Sequence, residues 1–334
     1  MPYCIYSKNR IYNDSHDSTY KASKEHIIPR SIGGSNKFVT FDVSAKCNND
    51  LGSSIDASYL KDPIVSMAAN QIGLSDLDLS VFSTGSGKNA KFKVDKSGQV
   101  HTEFKLDVNT EYRERYNIEE ISGPRDEVEK VILGKINKSG KKMFDGDGNP
   151  IENLEQARLS CKIQQESHFQ GSISVDFISH IQMMSKILLG SGHLLFEKEW
   201  TFSNNGDFLR NILNDRGAAL TFWQQQKGIK DGLKMANTVL DQKEKEQKCH
   251  LIIFLPSHGN LYACAGLFGG FVPSFVFNLG KFKESFLEGC QAHCNSSAES
   301  TTDPTPKVGY KIFPLDGSVE SITLLKLYDA MNKV

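Results

Sequence analysis

Apolar positions recur along this chain in two rhythms. Phe177, Ile181, Met184 and Leu188 are spaced by four, three and four residues, which predicts a helix from about Asp176 to Phe196 with one apolar face. Ser203-Asn204 and Asp207 are placed to cap a second helix over 208–213. Ile64 to Leu74 and Asp126 to Ile136 predict two more helices. Around Gly and Ser turns, Val81-Phe82, Lys91 to Val94 and Val100 to Leu106 make 75–122 a β-rich stretch. Cys249 to Leu255 and Leu261 to Leu279, dense in Phe, Val and Leu and broken by glycine, predict buried strands. Four stretches lack apolar rhythm: a basic tail (134–142), a turn-rich linker (144–150), a charged loop (241–248) and a polar loop (295–307).

Near the N-terminus the pattern is denser. Within EHIIPRSIGGSNKFVTFDVSAKCNNDLG (25–52), Glu25 to Pro29 predicts a strand. Lys37 to Val43 predicts a second, with Val39, Phe41 and Val43 on one face. Leu51, Ile55 and Tyr59 recur every four residues, so Asn48 to Leu60 predicts a helix. Asp62-Pro63 closes the unit, because a residue before proline leaves helical geometry. The expected fold class is α+β. A small ββα unit at 1–62 is followed by a β-rich and helical middle region at 63–165, then by a C-terminal helical and β-rich module at 166–334.

Composition narrows the setting. The 334 residues, 39% hydrophobic and 24% charged, suit a globular chain of two or three domains. A net charge of −1 excludes a global basic field, so any attraction to nucleic acid must be local. Seven scattered cysteines, an odd number, argue for a reducing cytoplasm over a disulfide scaffold. MPYCIYSKNR lacks the apolar core of a signal peptide. The apolar stretch 261–276 is too short and too interrupted to span a bilayer, so membrane insertion is not expected.

The Glu25-His26 pair, Ile27-Ile28-Pro29, the Gly33-Gly34 turn and Cys47-Asn48-Asn49 stand in an order that resembles the HNH endonucleases. Their ββα-metal unit hydrolyses a phosphodiester with one divalent cation and one histidine. The resemblance covers about residues 1–60 and implies that His26 is the general base and that Glu25 and Asn48 hold the cation. Asn49 replaces Asn48 if the helix starts one residue later. The central asparagine that orients the base falls by spacing near Thr40, with Asn36 and Asp42 as the other candidates. Hard oxygen ligands suit Mg²⁺ or Mn²⁺ better than Zn²⁺. Many relatives carry two CxxC pairs that bind a structural zinc. Here they read Cys4-Ile5-Tyr6-Ser7 and Ser44-Ala45-Lys46-Cys47, so structural zinc is not expected and packing by Tyr3, Ile5 and Tyr6 must replace it.

Arg30, Lys37 and Lys46 are the expected phosphate contacts, with Lys8 and Arg10 on the same rim. Other chemistry-bearing stretches read as ordinary structure. GSGKN (85–89) lacks phosphate-loop spacing. Cys290, His293 and Cys294 lack a fourth ligand, and His180 and His193 read as packed side chains. The expected function is metal-dependent cleavage of DNA, in a setting such as restriction of foreign DNA. The alternative is a DNA-binding or ligand-sensing protein whose HNH unit is inactive or switched on by a small molecule sensed by the C-terminal module. Cutting of both strands would call for a homodimer.

Overall fold

The computed structural model describes all residues except 1, 13–17, 75–76, 84–88, 95–102, 113–114, 139–141, 165–174, 226–234, 236, 284, 288–304 and 333–334. Most of GSGKN, the Cys290–His293–Cys294 group, nearly all of the polar 295–307 loop and part of the basic 134–142 run therefore lie outside the described residues. The chain forms two compact units, one of residues 1–75 with 175–334 and one of 76–174.

In the first unit, β1 (Glu25–His26) pairs antiparallel with β2 (Val39–Thr40). Both strands are shorter than their apolar runs predict. The chain leaves β1 for a 3₁₀ turn at Arg30–Ile32. It leaves β2 where the Asp42 amide donates to Thr40 Oγ1 at 3.2 Å. That turn ends the alternation, so Phe41 is 59% exposed while Val43 is buried. Helix α1 (Ala45–Leu51) starts three residues earlier than expected, because Ser44 caps it by accepting from the Cys47 amide. It continues through a π turn (Gly52–Asp56) into α2 (Ala57–Leu60). Asp62 then caps α3 (Pro63–Gln71), with proline at the first turn, where its missing N–H costs nothing.

The second unit holds the predicted β-rich stretch. Strand β3 (Leu77–Ser83) pairs with β4 (Asn89–Val94). The long β5 (Glu103–Tyr112) pairs with β6 (Arg115–Pro124), β7 (Lys142–Asp145) and β8 (Lys162–Gln164). Helices α4 (Arg125–Ile136) and α5 (Leu154–Ser160) complete it, over a small core that includes Ile121, Val128, Ile132 and Met143. The expected linker at 144–150 is ordered, since the Asp145 carboxylate accepts from the amides of Asp147 and Asn149 at 3.0 and 2.7 Å.

The first unit resumes with α6 (Phe177–Thr201), capped by Asp176 and broken at Glu197 (φ 61°). A single apolar face is not what the helix shows: every residue from Ser179 to His193 is buried. It is packed between the N-terminal segment and a sheet, with α7 (Asn204–Asn214) and α8 (Arg216–Gln225) alongside. The sheet is antiparallel, in the order β11 (Val276–Lys281), β10 (Asn260–Gly266), β9 (His250–Ser257), β12 (Lys307–Ile312), β13 (Val319–Thr323). His258 and Gly259, both at positive φ, make the tight β9–β10 turn. The expected charged loop at 241–248 contains a short helix instead, Gln242–Glu246, because Asp241 and Glu244 form a capping box. No helix among the described residues is long and apolar enough to cross a membrane.

Candidate active site

The two-residue ladder decides where four side chains go. Cross-strand partners share a face, and neighbours along a strand do not. Glu25 pairs with Thr40 and His26 with Val39. Glu25 and Thr40 are buried, whereas His26 and Val39 are only half-buried. The Gly33-Gly34 turn then folds the chain back tightly. A Cβ at Gly34 would fall 1.7 Å from the Ile28 carbonyl oxygen, and one at Gly33 (φ 91°) 2.2 Å from Pro314 Cβ.

On the outer face, His26 Nε2 lies 2.9 Å from Asn36 Oδ1. The same oxygen accepts from Lys24 Nζ at 3.4 Å. An ammonium only donates, so this end of the amide is the oxygen, and the imidazole must present Nε2–H to it. Nδ1 then carries the lone pair, the arrangement a proton acceptor needs. The side chain that meets the His26 ring is thus Asn36, one of the other candidates, and not Thr40. Thr40 shares the buried face with Glu25, and its hydroxyl is taken by the Asp42 amide.

The helix is docked onto the strand at Asn48. Its Nδ2 donates to Ser23 Oγ at 2.8 Å and to the Lys24 carbonyl at 3.1 Å. With the nitrogen committed, the amide oxygen is the end left for a cation. Asn49, one position on, is exposed.

Glu25 has different company. Only 4% exposed, its Oε1 lies 2.7 Å from Lys186 Nζ of α6. That contact is an ion pair without hydrogen-bond alignment; Lys186 donates instead to both carboxylate oxygens of Asp56, at 2.7 and 2.8 Å. Burial pushes the Glu25 carboxyl up, and Lys186 only partly holds it down. The structure therefore pairs His26 with Asn36, ties Asn48 to Ser23 and Lys24 on the chain just before that histidine, and turns Glu25 to Lys186 instead. Lys186 and Asp56 escaped the sequence reading. The available signal was a single charged residue, a lysine, in the mostly apolar run IQMMSKILLG.

The four positions of the degenerate CxxC pairs do converge. Cys47 and Ser7 lie against the Cys4 sulfur and hold its thiol down, against burial; the Cys47 thiol is pushed up. Arg30, Lys37 and Lys46 are all exposed, and Lys46 pairs with Asp50 at 2.9 Å. Of the two discounted histidines, His180 is buried against Asp62 at 3.1 Å. His193 bridges Asp42 and Thr201 at 3.0 and 2.9 Å.

Among the described residues, no group of three or more His, Cys, Asp or Glu side chains could hold a metal ion. The amide oxygens of Asn48 and Asn49 carry no charge, so a hard cation held there would keep most of its water and take its anionic partner from a substrate phosphate. They do not fit an ion enclosed by protein ligands. Comparison with known families finds the HNH endonuclease model over residues 11–63. No curated protein and no solved structure matches the chain significantly.

Proposed function

Taking residues 11–63 as an HNH endonuclease segment, we propose that this chain hydrolyses phosphodiester bonds of DNA with His26 as the general base. One observation carries the reading: the Asn36 oxygen, identified as oxygen by Lys24, holds His26 with Nδ1 as its acceptor nitrogen. His26 Nδ1 takes the proton of the attacking water, and Asn36 stabilises the imidazolium that forms. Asn48, with Asn49 beside it, would hold Mg²⁺ or Mn²⁺; Glu25 would join only by leaving Lys186. When bound, that cation neutralises charge on the scissile phosphate and the leaving 3′ oxygen. Arg30, Lys37 and Lys46 grip flanking phosphates and fix register without reading bases.

On this reading residues 1–62 carry the chemistry, and 63–165 and 166–334 choose the target or govern the nuclease. A cytoplasmic role in restricting foreign DNA fits that division of labour. The test is nicking of supercoiled plasmid, expected to require Mg²⁺ or Mn²⁺ and to vanish in His26→Ala. Undiminished cleavage by that variant would overturn the proposal.

A second reading has its own support. Glu25 is tied to Lys186, so the unit could bind DNA while cutting poorly until a ligand or partner releases the carboxylate. Metal-independent DNA binding without cleavage, with nicking only after a small-molecule extract is added, would favour it.

A further inference from the structure

Lys186 is fully buried in the middle of α6, outside the matched HNH segment. An ammonium so placed persists only when its charge and its donors are met. Lys186 donates to both carboxylate oxygens of Asp56 at 2.7 and 2.8 Å, and Oε1 of Glu25 lies 2.7 Å away as an ion-pair partner outside hydrogen-bond alignment. The two carboxylates belong to different halves of the candidate site. Glu25 is the strand neighbour of the proposed base, and Asp56 ends the π turn that continues the helix of Asn48. Asp56 lies 130 positions from Lys186 in the chain.

The mechanical consequence follows from strand geometry. Neighbouring side chains on a strand point to opposite faces, so pinning Glu25 inward sets His26 outward. The β1–β2 ladder has two residue pairs, flanked by backbone bonds from Ile27 to Phe38 and from Ser23 to Val43, and Lys186 adds a side-chain tie to that backbone frame. Asn48 ties the chain just before β1 to the helix through Ser23 and Lys24. Asp56, eight residues further along the chain, is joined to the same strand through Lys186 and Glu25.

We infer that Lys186 is a positioning residue of the nuclease site: its ammonium clamps the strand bearing His26 to the helix bearing Asn48 through Glu25 and Asp56. The inference rests on the nuclease reading for its catalytic meaning. Its structural content, the orientation of His26, is measurable without cleavage. The clamp also accounts for a nuclease segment whose zinc-binding pairs are incomplete, since another cross-link joins its halves.

The experiment compares the full-length chain with Lys186→Met/Asp56→Asn, which leaves Glu25 intact and able to take a proton. Glu25→Gln/Asp56→Asn/Lys186→Met, with no buried charge left in the cluster, serves if the double variant does not fold. The readouts are the His26 tautomer by nitrogen-15 NMR, assigned with His26→Gln, and kcat and KM for plasmid nicking. Wild type should hold the Nε2–H tautomer. The folded variant should average the two tautomers and lose roughly tenfold to a hundredfold in kcat with KM for DNA within about twofold, as misplacement of a catalytic group does. A folded variant with the wild-type tautomer and kcat overturns the clamp. So does tighter Mn²⁺ binding with faster cleavage, which would make Lys186 an occupant of the cation's place. If wild type cuts nothing, the tautomer still decides the clamp, and only the nuclease reading falls.

Discussion

His26 and Glu25 are neighbours in a two-residue strand, yet their surroundings are assembled differently. His26 finds its partner, Asn36, ten positions along the chain, and the pair is exposed. Glu25 finds Lys186 on α6 in the interior of the fold. An exposed neutral hydrogen bond contributes about 1 kcal/mol to folding, whereas removing one partner of a buried ion cluster costs about 3–5 kcal/mol. The outer side can thus be tuned for chemistry at little cost in stability. The inner side cannot be altered without touching both.

The sharpest way to break this contrast is to strike each side once. His26→Ala should lower the cleavage rate by about 10²–10⁴-fold and reduce unfolding free energy by about 1 kcal/mol at most. Lys186→Met alone should lose about 3–5 kcal/mol in urea melts, since Glu25 and Asp56 stay buried without their cation. Equal stability losses in the two variants would end the distinction. Asn36→Ala comes next: a drop of roughly one to two orders of magnitude in kcat is expected, with Asn36→Asp, which keeps an acceptor, falling less. An Asn36→Ala variant as active as wild type would return the orienting part to another residue.

The same contrast explains what could be read from sequence. The outer side was legible because its parts are local. His26, Asn48 and the Gly33-Gly34 turn lie in one short stretch, and Asn36 was among the candidates. Thr40 was favoured because spacing counts residues, whereas the antiparallel register puts Thr40 on the face of Glu25. The role of Glu25 was hidden for the same reason as the burial of α6. Both depend on packing between segments far apart in sequence, and a 3.6-residue rhythm reports one apolar face without showing what covers the others. The helix at 242–246 was legible in principle, from Asp241 and Glu244 spaced as a capping box, but charge density masked it.

His250 offers a second inner tie, sensitive to pH. Its Nε2 donates to the Ile32 carbonyl at 2.8 Å, and its Nδ1 accepts from the Phe268 amide at 3.0 Å. Both nitrogens are used by the neutral ring, and burial lowers its pKa to about 4. A histidine depressed on folding stabilises fully above its unfolded pKa of about 6.5 and loses that contribution as pH falls toward 4. From pH 7 to pH 5 this group alone should cost about 2 kcal/mol of stability. Glu25, raised by burial, acts in the opposite sense, so the clean measurement is a difference. Urea melts of His250→Gln should show that much less loss between the two pH values than wild type. Parallel curves would mean that this tie is not the pH-sensitive one.

The smallest expected effects belong to the exposed cations of the outer side, and they bear on whether that side meets a nucleic acid at all. Arg30 and Lys37 are exposed, whereas Lys46 already pairs with Asp50 four positions on. A phosphate contact releases a counterion, so Arg30→Ala and Lys37→Ala should each flatten the plot of log affinity against log salt by about 1. Lys46→Ala should flatten it less, because its charge is partly spent within the protein. None of the three should alter base preference, since phosphates carry no sequence information. Fluorescence anisotropy of labelled duplex in Ca²⁺, across a salt series, reads all three slopes. If they match wild type, DNA meets the chain on some other surface, and the outer side of β1 loses its claim to be where cutting occurs.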